Sequence, residues 1–270
     1  MRSKGIAIPY VVWMAIFVVV PLILVVVYAF TNRSGSFTLE NFSSMSQYAS
    51  VFGRSFLLAF VATVVCILLG YPMAYFLARE RGRLRQMATM LIMLPMWMNF
   101  LLRTYSWVFL LERNGFFNTL LETIGLPKLD IIDTQGAVVL GMVYNYLPYM
   151  ILPLYGVIVK IDPRLIEAAE DLGCNSTQVF SRVVLPLSVP GILSGMTMVF
   201  VPAVSTFYIS QKLGGTDTVL VGDVIERQFK QGNNPNLGAA LSLVLMILVF
   251  ICTGIMNRFG GDNEEGGVIV

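Results

Sequence analysis

The chain has 270 residues, of which 56% are apolar and 13% charged, and its formal net charge is +2. Average globular chains are about 45–50% apolar and about 25% charged, so this composition excludes an ordinary soluble fold and favours a chain surrounded by lipid. The sequence has no histidine, which excludes His-dependent hydrolysis and most zinc or iron chemistry. The small net charge does not indicate a nucleic-acid partner, and we expect neither a metal nor another cofactor.

Six apolar stretches are long enough to cross a membrane, because about 20 helical residues span the hydrocarbon layer. In chain order they cover residues 6–30, 56–78, 87–111, 136–159, 189–209 and 237–256. The first stretch is too long for a signal peptide and lacks an evident cleavage site, so we expect it to be retained. The sequence predicts an all-α polytopic membrane protein with six transmembrane helices, in which residues 1–270 form one transmembrane domain.

Basic residues favour one side of this topology. With the N-terminus in the cytoplasm, residues 1–5, 79–86, 160–188 and the tail after Asn257 share that side and hold ten Lys and Arg, against seven in the opposite loops. The arginine run at 79–85 is typical of a topology and lipid-headgroup signal. We therefore expect a multi-pass membrane protein with both termini in the cytoplasm. Residues 260–270, rich in Gly and acidic side chains, are predicted to be disordered.

The loop at 160–190, between the fourth and fifth spans, is predicted to contain two short helices. Asp162 caps the first, Pro163 is its first residue, and Gly173 ends it in the left-handed conformation. Small and apolar residues share one face of this helix, at Leu165, Ala168, Ala169 and Leu172. Ser176 starts the second helix, and Pro186 and Pro190 turn the chain back into the bilayer.

The first loop helix has two interpretations. A short helix with alanines on one face suits a groove on another protein. The alternative is a helix lying on the lipid surface. Lipid-surface helices favour Lys and Arg, whereas this helix carries Glu167, Glu170 and Asp171, so the sequence favours docking to a protein.

The same loop has a long-spaced motif. It consists of Glu167-Ala168-Ala169, three residues, Gly173, nine residues, Val183, one residue and Leu185-Pro186. This motif resembles the EAA loop of ATP-binding-cassette (ABC) importer permeases, from which it departs only in having Val183 in place of Ile. The resemblance implies a type I ABC importer (MetI-like) permease fold. It also implies coupling to a cytoplasmic ABC ATPase dimer through Glu167, Ala168, Ala169, Gly173, Leu185 and Pro186.

ATP hydrolysis would then take place in the partner, and this chain is expected to be a transport subunit with no catalytic residue. The sequence has no G-x-x-x-x-G-K-[S/T] phosphate-binding loop. Further segments resemble the spermidine/putrescine permeases of the same family, at 69–78, 95–99, 102–105, 207–210, 214–215, 225 and 228–229. That resemblance implies a polyamine substrate, a second homologous permease subunit and an extracytoplasmic polyamine-binding protein.

A polyamine path calls for aromatic faces and uncharged acceptors, which hold a flexible polycation without trapping it. The substrate-path candidates are Trp97, Asn99, Arg103, Tyr105, Tyr144, Asn145, Tyr149 and Tyr208. Interfacial anchoring or helix packing is the alternative role for the aromatic residues, and interhelical bonding for the amides. The predicted spans contain no Asp or Glu, so Asp217, Asp223 and Glu226 are candidate counter-charges at the outer mouth.

Arg103 is the one charged side chain within the predicted spans, and on charge alone it favours an anion importer of the same fold. A permease of the same fold for another small solute, such as sulfate, molybdate, iron or thiamine, also stays open. A secondary transporter is disfavoured because the spans lack acids to carry protons. An intramembrane enzyme is disfavoured because neither a histidine nor an acid pair is available.

Overall fold

The computed structural model describes residues 8–230 and 234–259, and helices dominate this part of the chain. The helices of the first half are α1 (Ile8–Met14), α2 (Val20–Ala29), α3 (Glu40–Ser43), α4 (Ala49–Arg79), α5 (Gly82–Trp97), α6 (Phe100–Leu111) and α7 (Phe116–Thr123). Those of the second half are α8 (Gln135–Ile158), α9 (Pro163–Asp171), α10 (Ser176–Val179), α11 (Leu185–Ser205), α12 (Tyr208–Leu213), α13 (Val221–Lys230) and α14 (Pro235–Phe259). Two π-helical segments (Ala15–Val19 and Phe180–Val184) and a 3₁₀ segment (Ser44–Tyr48) continue neighbouring helices. The predicted disordered tail, 260–270, lies outside the described residues.

Five helices in the described part of the chain are long and apolar enough to cross a membrane. They are Pro9–Ala29, Glu40–Arg79, Gln135–Ile158, Ser176–Ser205 and Pro235–Arg258. The bent pair Gly82–Trp97 and Phe100–Thr123 meets the same criteria together and raises the number to six. The predicted all-α polytopic class is therefore confirmed, with a broken helix in the third position.

The prediction of one continuous third helix over 87–111 is wrong. The chain bends by 94° between the two halves of this pair. Met98 and Asn99 have extended backbone conformations, and the Asn99 Oδ1 accepts hydrogen bonds from the N–H groups of Leu101 at 2.8 Å and Leu102 at 3.4 Å. Because an asparagine that satisfies these free N–H groups starts a helix, Asn99 begins α6 and is not a buried amide within a span.

The boundaries predicted for the fifth span, 189–209, are also wrong. Pro186 and Pro190 do not turn the chain, since one helix runs from Ser176 to Ser205. The wider π-helical turn at Phe180–Val184 precedes Pro186 and relieves the clash of its ring with the preceding turn. At the other end, Thr206 is extended and closes α11 before α12 begins.

The core is centred on α8, which packs mainly against α4 and α11. Met150 of α8 lies between Gly70 of α4 and Gly195 of α11. A Cβ atom on Gly70 would lie 3.0 Å from the Met150 Cγ, and one on Gly195 would lie 2.7 Å from its Sδ. Small residues thus allow the three helices to approach closely, as at other membrane helix contacts.

Helix α8 has 24 residues and is therefore about 36 Å long. A different region of the molecule lies at each of its ends. At its N-terminal end, the N–H of Asp133 donates to the carbonyl of Leu213 at 2.9 Å and fixes the end of α12. At its C-terminal end, Ile158 borders the same cleft as Arg79 and Glu167. We call the region of residues 79–85 and 160–190 the EAA end, and the region around Tyr105, Tyr208 and Lys212 the α12 end.

Candidate functional site: the EAA end and the α12 end

Local hydrogen bonds build the two loop helices of the EAA end. The N–H of Arg164 donates to the Asp162 Oδ1 at 3.0 Å, which caps α9 as predicted. Gly173 has φ +86°, a conformation that side-chain-bearing residues rarely adopt. The second helix begins at Ser176 as predicted, but its cap is Asn175, which exchanges two 2.9 Å hydrogen bonds with Gln178.

The outer surface of α9 is open in the described structure. Of the face predicted for docking, only Ala169 is buried, whereas Leu165 is 49% exposed and Leu172 86% exposed. The predicted coupling residues Glu167, Ala168, Gly173, Leu185 and Pro186 are also exposed. This combination of apolar and acidic side chains gives α9 a surface that can contact another protein.

An aromatic cluster attaches the inner side of this loop to α4. The ring of Phe180 lies 5.5 Å from that of Tyr71 and 5.7 Å from that of Tyr75, nearly perpendicular to both. The hydroxyl of Tyr71 also hydrogen-bonds to the Ser188 Oγ at 2.7 Å. Edge-to-face ring pairs contribute about 0.5–1.5 kcal/mol each beyond their buried area. The two contacts of Phe180 therefore stabilise the packing of the loop against α4.

Charges of opposite sign face each other beneath this cluster. A cleft of about 440 Å³ is lined by Arg79, Glu80, Arg81 and Arg85 of the 79–85 segment and by Glu167 and Glu170 of α9. The guanidinium of Arg79 lies 4.4 Å from the ring centroid of Tyr75. The prediction that the arginine run and the 160–188 loop lie on the same side of the protein is therefore confirmed.

At the α12 end, the structure brings together some of the substrate-path candidates. Tyr105 and Tyr208 meet edge to face with their ring centroids 6.1 Å apart. The ammonium of Lys212 lies 5.2 Å from the Tyr105 centroid and 5.9 Å from the Tyr208 centroid. Tyr105 is 40% exposed, so the pair can be reached from outside the chain.

Other substrate-path candidates lie apart from this pair. Trp97 is 78% exposed at the end of α5. Tyr144 packs against Trp107 at 5.3 Å, and Tyr149 lies 6.5 Å from Tyr146. Asn145 is buried and donates to the Gly141 carbonyl at 2.8 Å, while its Oδ1 has no hydrogen-bond partner within residues 8–230 and 234–259.

Arg103 is buried, with 6% of its surface exposed. Its Nε and Nη1 have no hydrogen-bond partner among the residues that the structure describes. Unpaired buried donors of a charged group are energetically unfavourable. A ligand or a second subunit that supplies acceptors to these atoms would therefore be favoured.

The acids predicted as counter-charges are differently placed. Glu226 accepts from the Gln211 amide at 2.7 Å and pairs with Lys230 at 2.6 Å, and these two contacts lower its pKa. Asp223 is buried, which raises its pKa, and its Oδ2 accepts from the Leu220 N–H at 2.8 Å. Asp217 is exposed and is the most accessible of the three carboxylates to a cation outside the chain.

Sequence reasoning missed Lys212 and the anchoring role of Phe180. Lys212 appears in the sequence only as one charge of a loop. Its spacing of four residues from Tyr208 places the two on one helical face and is the one local signal. The contacts with Tyr105, Tyr71 and Tyr75 join distant segments and have no sequence signature.

The sequence of this chain is similar to those of known transport proteins over most of its length. Residues 67–260 match the family described as binding-protein-dependent transport system inner membrane component. The chain is 40% identical to the spermidine/putrescine transport system permease protein PotB of Haemophilus influenzae, with 91% of this chain and 90% of that protein aligned. It is 36% identical to PotB of Escherichia coli, with 88% and 90% aligned.

Solved structures show the same fold. A chain of a bacterial alginate ABC transporter, in complex with an alginate pentasaccharide-bound periplasmic protein, aligns with a TM-score of 0.78 over 98% of this chain and 95% of that chain. The identity is 19%, so this likeness establishes the fold alone. The predicted MetI-like permease fold is thereby confirmed.

Proposed function

The chain belongs to the family of binding-protein-dependent transport system inner membrane components, and we propose that it is the permease subunit of an ABC importer for polyamines. The observation that carries the substrate class is its likeness to spermidine/putrescine permeases across most of both chains. The contact of the Lys212 ammonium with Tyr105 and Tyr208 supports the same class. In that contact an alkylammonium group lies against aromatic faces, and a polyamine terminus carries the same group.

The EAA end is the proposed contact with a cytoplasmic ATPase dimer. The exposed Glu167 and Leu172 meet the ATPase, Gly173 permits the turn that presents them, and Phe180 transmits movement of the loop to α4. Nucleotide binding to the ATPase would shift the balance between inward-open and outward-open states through this loop, because a ligand shifts an equilibrium by its different affinities for the two states. Hydrolysis of ATP belongs to the partner.

The remaining partners and the orientation follow from this assignment. A second homologous permease subunit would complete the path, and an extracytoplasmic binding protein would deliver the polyamine to the α12 end. The EAA end and both termini would lie in the cytoplasm of a bacterial cell. Large apolar side chains such as Phe17 and Phe250 are exposed on the helices and suit contact with lipid.

Arg103 favours a second candidate function, the import of a small anion such as sulfate or molybdate. Its buried Nε and Nη1 lack partners, and an oxyanion binds such a guanidinium edge well. A polyamine importer needs another source of acceptors for these atoms, and the second permease subunit is the source we propose.

Uptake by cells that lack the chromosomal copy of this chain separates the two functions. Radiolabelled spermidine, sulfate and molybdate are supplied with and without the chain, together with its ATPase and binding protein. We expect the chain to restore spermidine uptake alone. Restoration of sulfate or molybdate uptake, with no effect on spermidine, would reverse the assignment and place an anion at Arg103.

A further inference from the structure

The ammonium group of Lys212 lies against two aromatic rings that could instead bind the ammonium group of a ligand. The two rings belong to Tyr105 of α6 and Tyr208 of α12, and the angle between the ring planes is 75°. We call them the Tyr105–Tyr208 site. The Lys212 ammonium lies 5.2 and 5.9 Å from the two ring centroids. Both distances lie within the limit of about 6 Å for a cation–π contact, and the Tyr105 hydroxyl is also a hydrogen-bond partner of the ammonium, so uncharged groups hold the lysine in place.

No carboxylate in the described part of the chain forms an ion pair with Lys212. The acid that follows on α13, Glu226, is already bound by Gln211 and Lys230. Lys212 is half-buried, and its flexible stem of four methylenes lets the ammonium leave the rings without movement of the backbone. The cation in this site is therefore replaceable.

A lysine ammonium and the end of a polyamine are the same chemical group, a primary alkylammonium. We propose that Lys212 is a tethered competitor, which occupies the Tyr105–Tyr208 site until a terminal ammonium of the substrate displaces it. This inference rests on the proposed polyamine function. Competition of this kind weakens substrate binding at the site and so assists release, as conduction through a path requires.

The test is the affinity of spermidine for the purified permease–ATPase complex without the binding protein. Lys212→Met keeps the length of the side chain and removes the charge. We expect it to bind spermidine about two- to fivefold more tightly, the ratio that corresponds to one exposed cation–π contact. Adding Tyr105→Leu to Lys212→Met should abolish the gain, because the vacated site then lacks one ring.

The matched control is Arg227→Met, which removes one positive charge from the exposed surface of α13. Arg227 touches neither ring and has no ion pair in the described part of the chain. An equal gain in affinity in this control would mean that net charge alone is responsible and would overturn the proposal. Unchanged or weaker binding in Lys212→Met, with a wild-type complex that binds spermidine, would also overturn it while leaving the polyamine function intact. A wild-type complex that neither binds nor imports spermidine would refute the polyamine function, and this inference with it.

Discussion

The EAA end and the α12 end are built in different ways. At the EAA end, contacts between close neighbours in sequence shape the two loop helices, such as Asp162 with Arg164 and Asn175 with Gln178, and the rings around Phe180 attach the loop to α4. The α12 end depends on contacts between distant segments, such as Tyr105 with Tyr208 and Ser55 with Val221. A locally folded loop can move as a unit and expose a surface to a partner, whereas a region assembled from several segments keeps its shape only while the helices stay packed.

This contrast predicts that substitutions at the EAA end change coupling with little loss of stability, and the largest effect is expected for Glu167→Lys. A charge reversal in an interface costs several kcal/mol when like charges meet, so polyamine uptake should fall by more than about tenfold. Uptake is measured in cells whose membrane content of the chain is matched by immunoblot. Asp171→Lys makes the same charge change on the same helix, at a spacer position whose residue type the EAA motif does not specify, and should have a smaller effect. Normal uptake by well-inserted Glu167→Lys would contradict the coupling role.

An intermediate effect is expected where the EAA loop meets α4. Phe180→Ala removes two ring contacts worth about 0.5–1.5 kcal/mol each. If coupling loses the energy of one of these contacts, the polyamine transported per ATP hydrolysed should fall by about twofold to tenfold. The ratio is measured in proteoliposomes that contain the complete complex. Tyr71→Phe keeps the ring and loses only the hydrogen bond to Ser188, so its ratio should stay close to that of the wild type. If Phe180→Ala transported as efficiently as the wild type, the cluster would have no part in coupling.

The smallest effect on transport is expected at the α12 end, for Ser55→Ala. The Ser55 Oγ accepts from the Val221 N–H at 2.8 Å and donates to the Val51 carbonyl at 2.9 Å. Loss of the Ser55 hydroxyl leaves the buried N–H of Val221 unpaired. This should lower the free energy of unfolding by about 1–3 kcal/mol and leave uptake per folded complex unchanged. Thermal unfolding of the purified complex reports the stability. Thr63→Val is the control, because the Thr63 hydroxyl bonds only to the Ala59 carbonyl of its own helix. A loss of coupling without a change in melting temperature would mean that the two ends do not differ as described.

Sequence patterns predicted the fold class, the first, second, fourth and sixth apolar helices and the form of the EAA loop. These features depend on the periodicity of apolar residues and on caps within four residues of one another. The break at Met98–Asn99 and the continuous helix through Pro186 were missed. Within an apolar run, an asparagine can stay inside a helix or cap a new one, and a proline can end a helix, kink it or be accommodated by it. Packing decides among these outcomes.

The sequence by itself determined that this chain lies in a membrane as a set of helices, because too few charges are present to cover a soluble surface. It also determined the surface of α9, because that helix is capped and ended by residues within its own loop. Only the tertiary structure decided that Phe180 lies against Tyr71 and Tyr75, that Arg103 is buried, and that Lys212 fills an aromatic site. Those contacts join residues separated along the chain, and side-chain contacts of that kind follow from how whole helices pack.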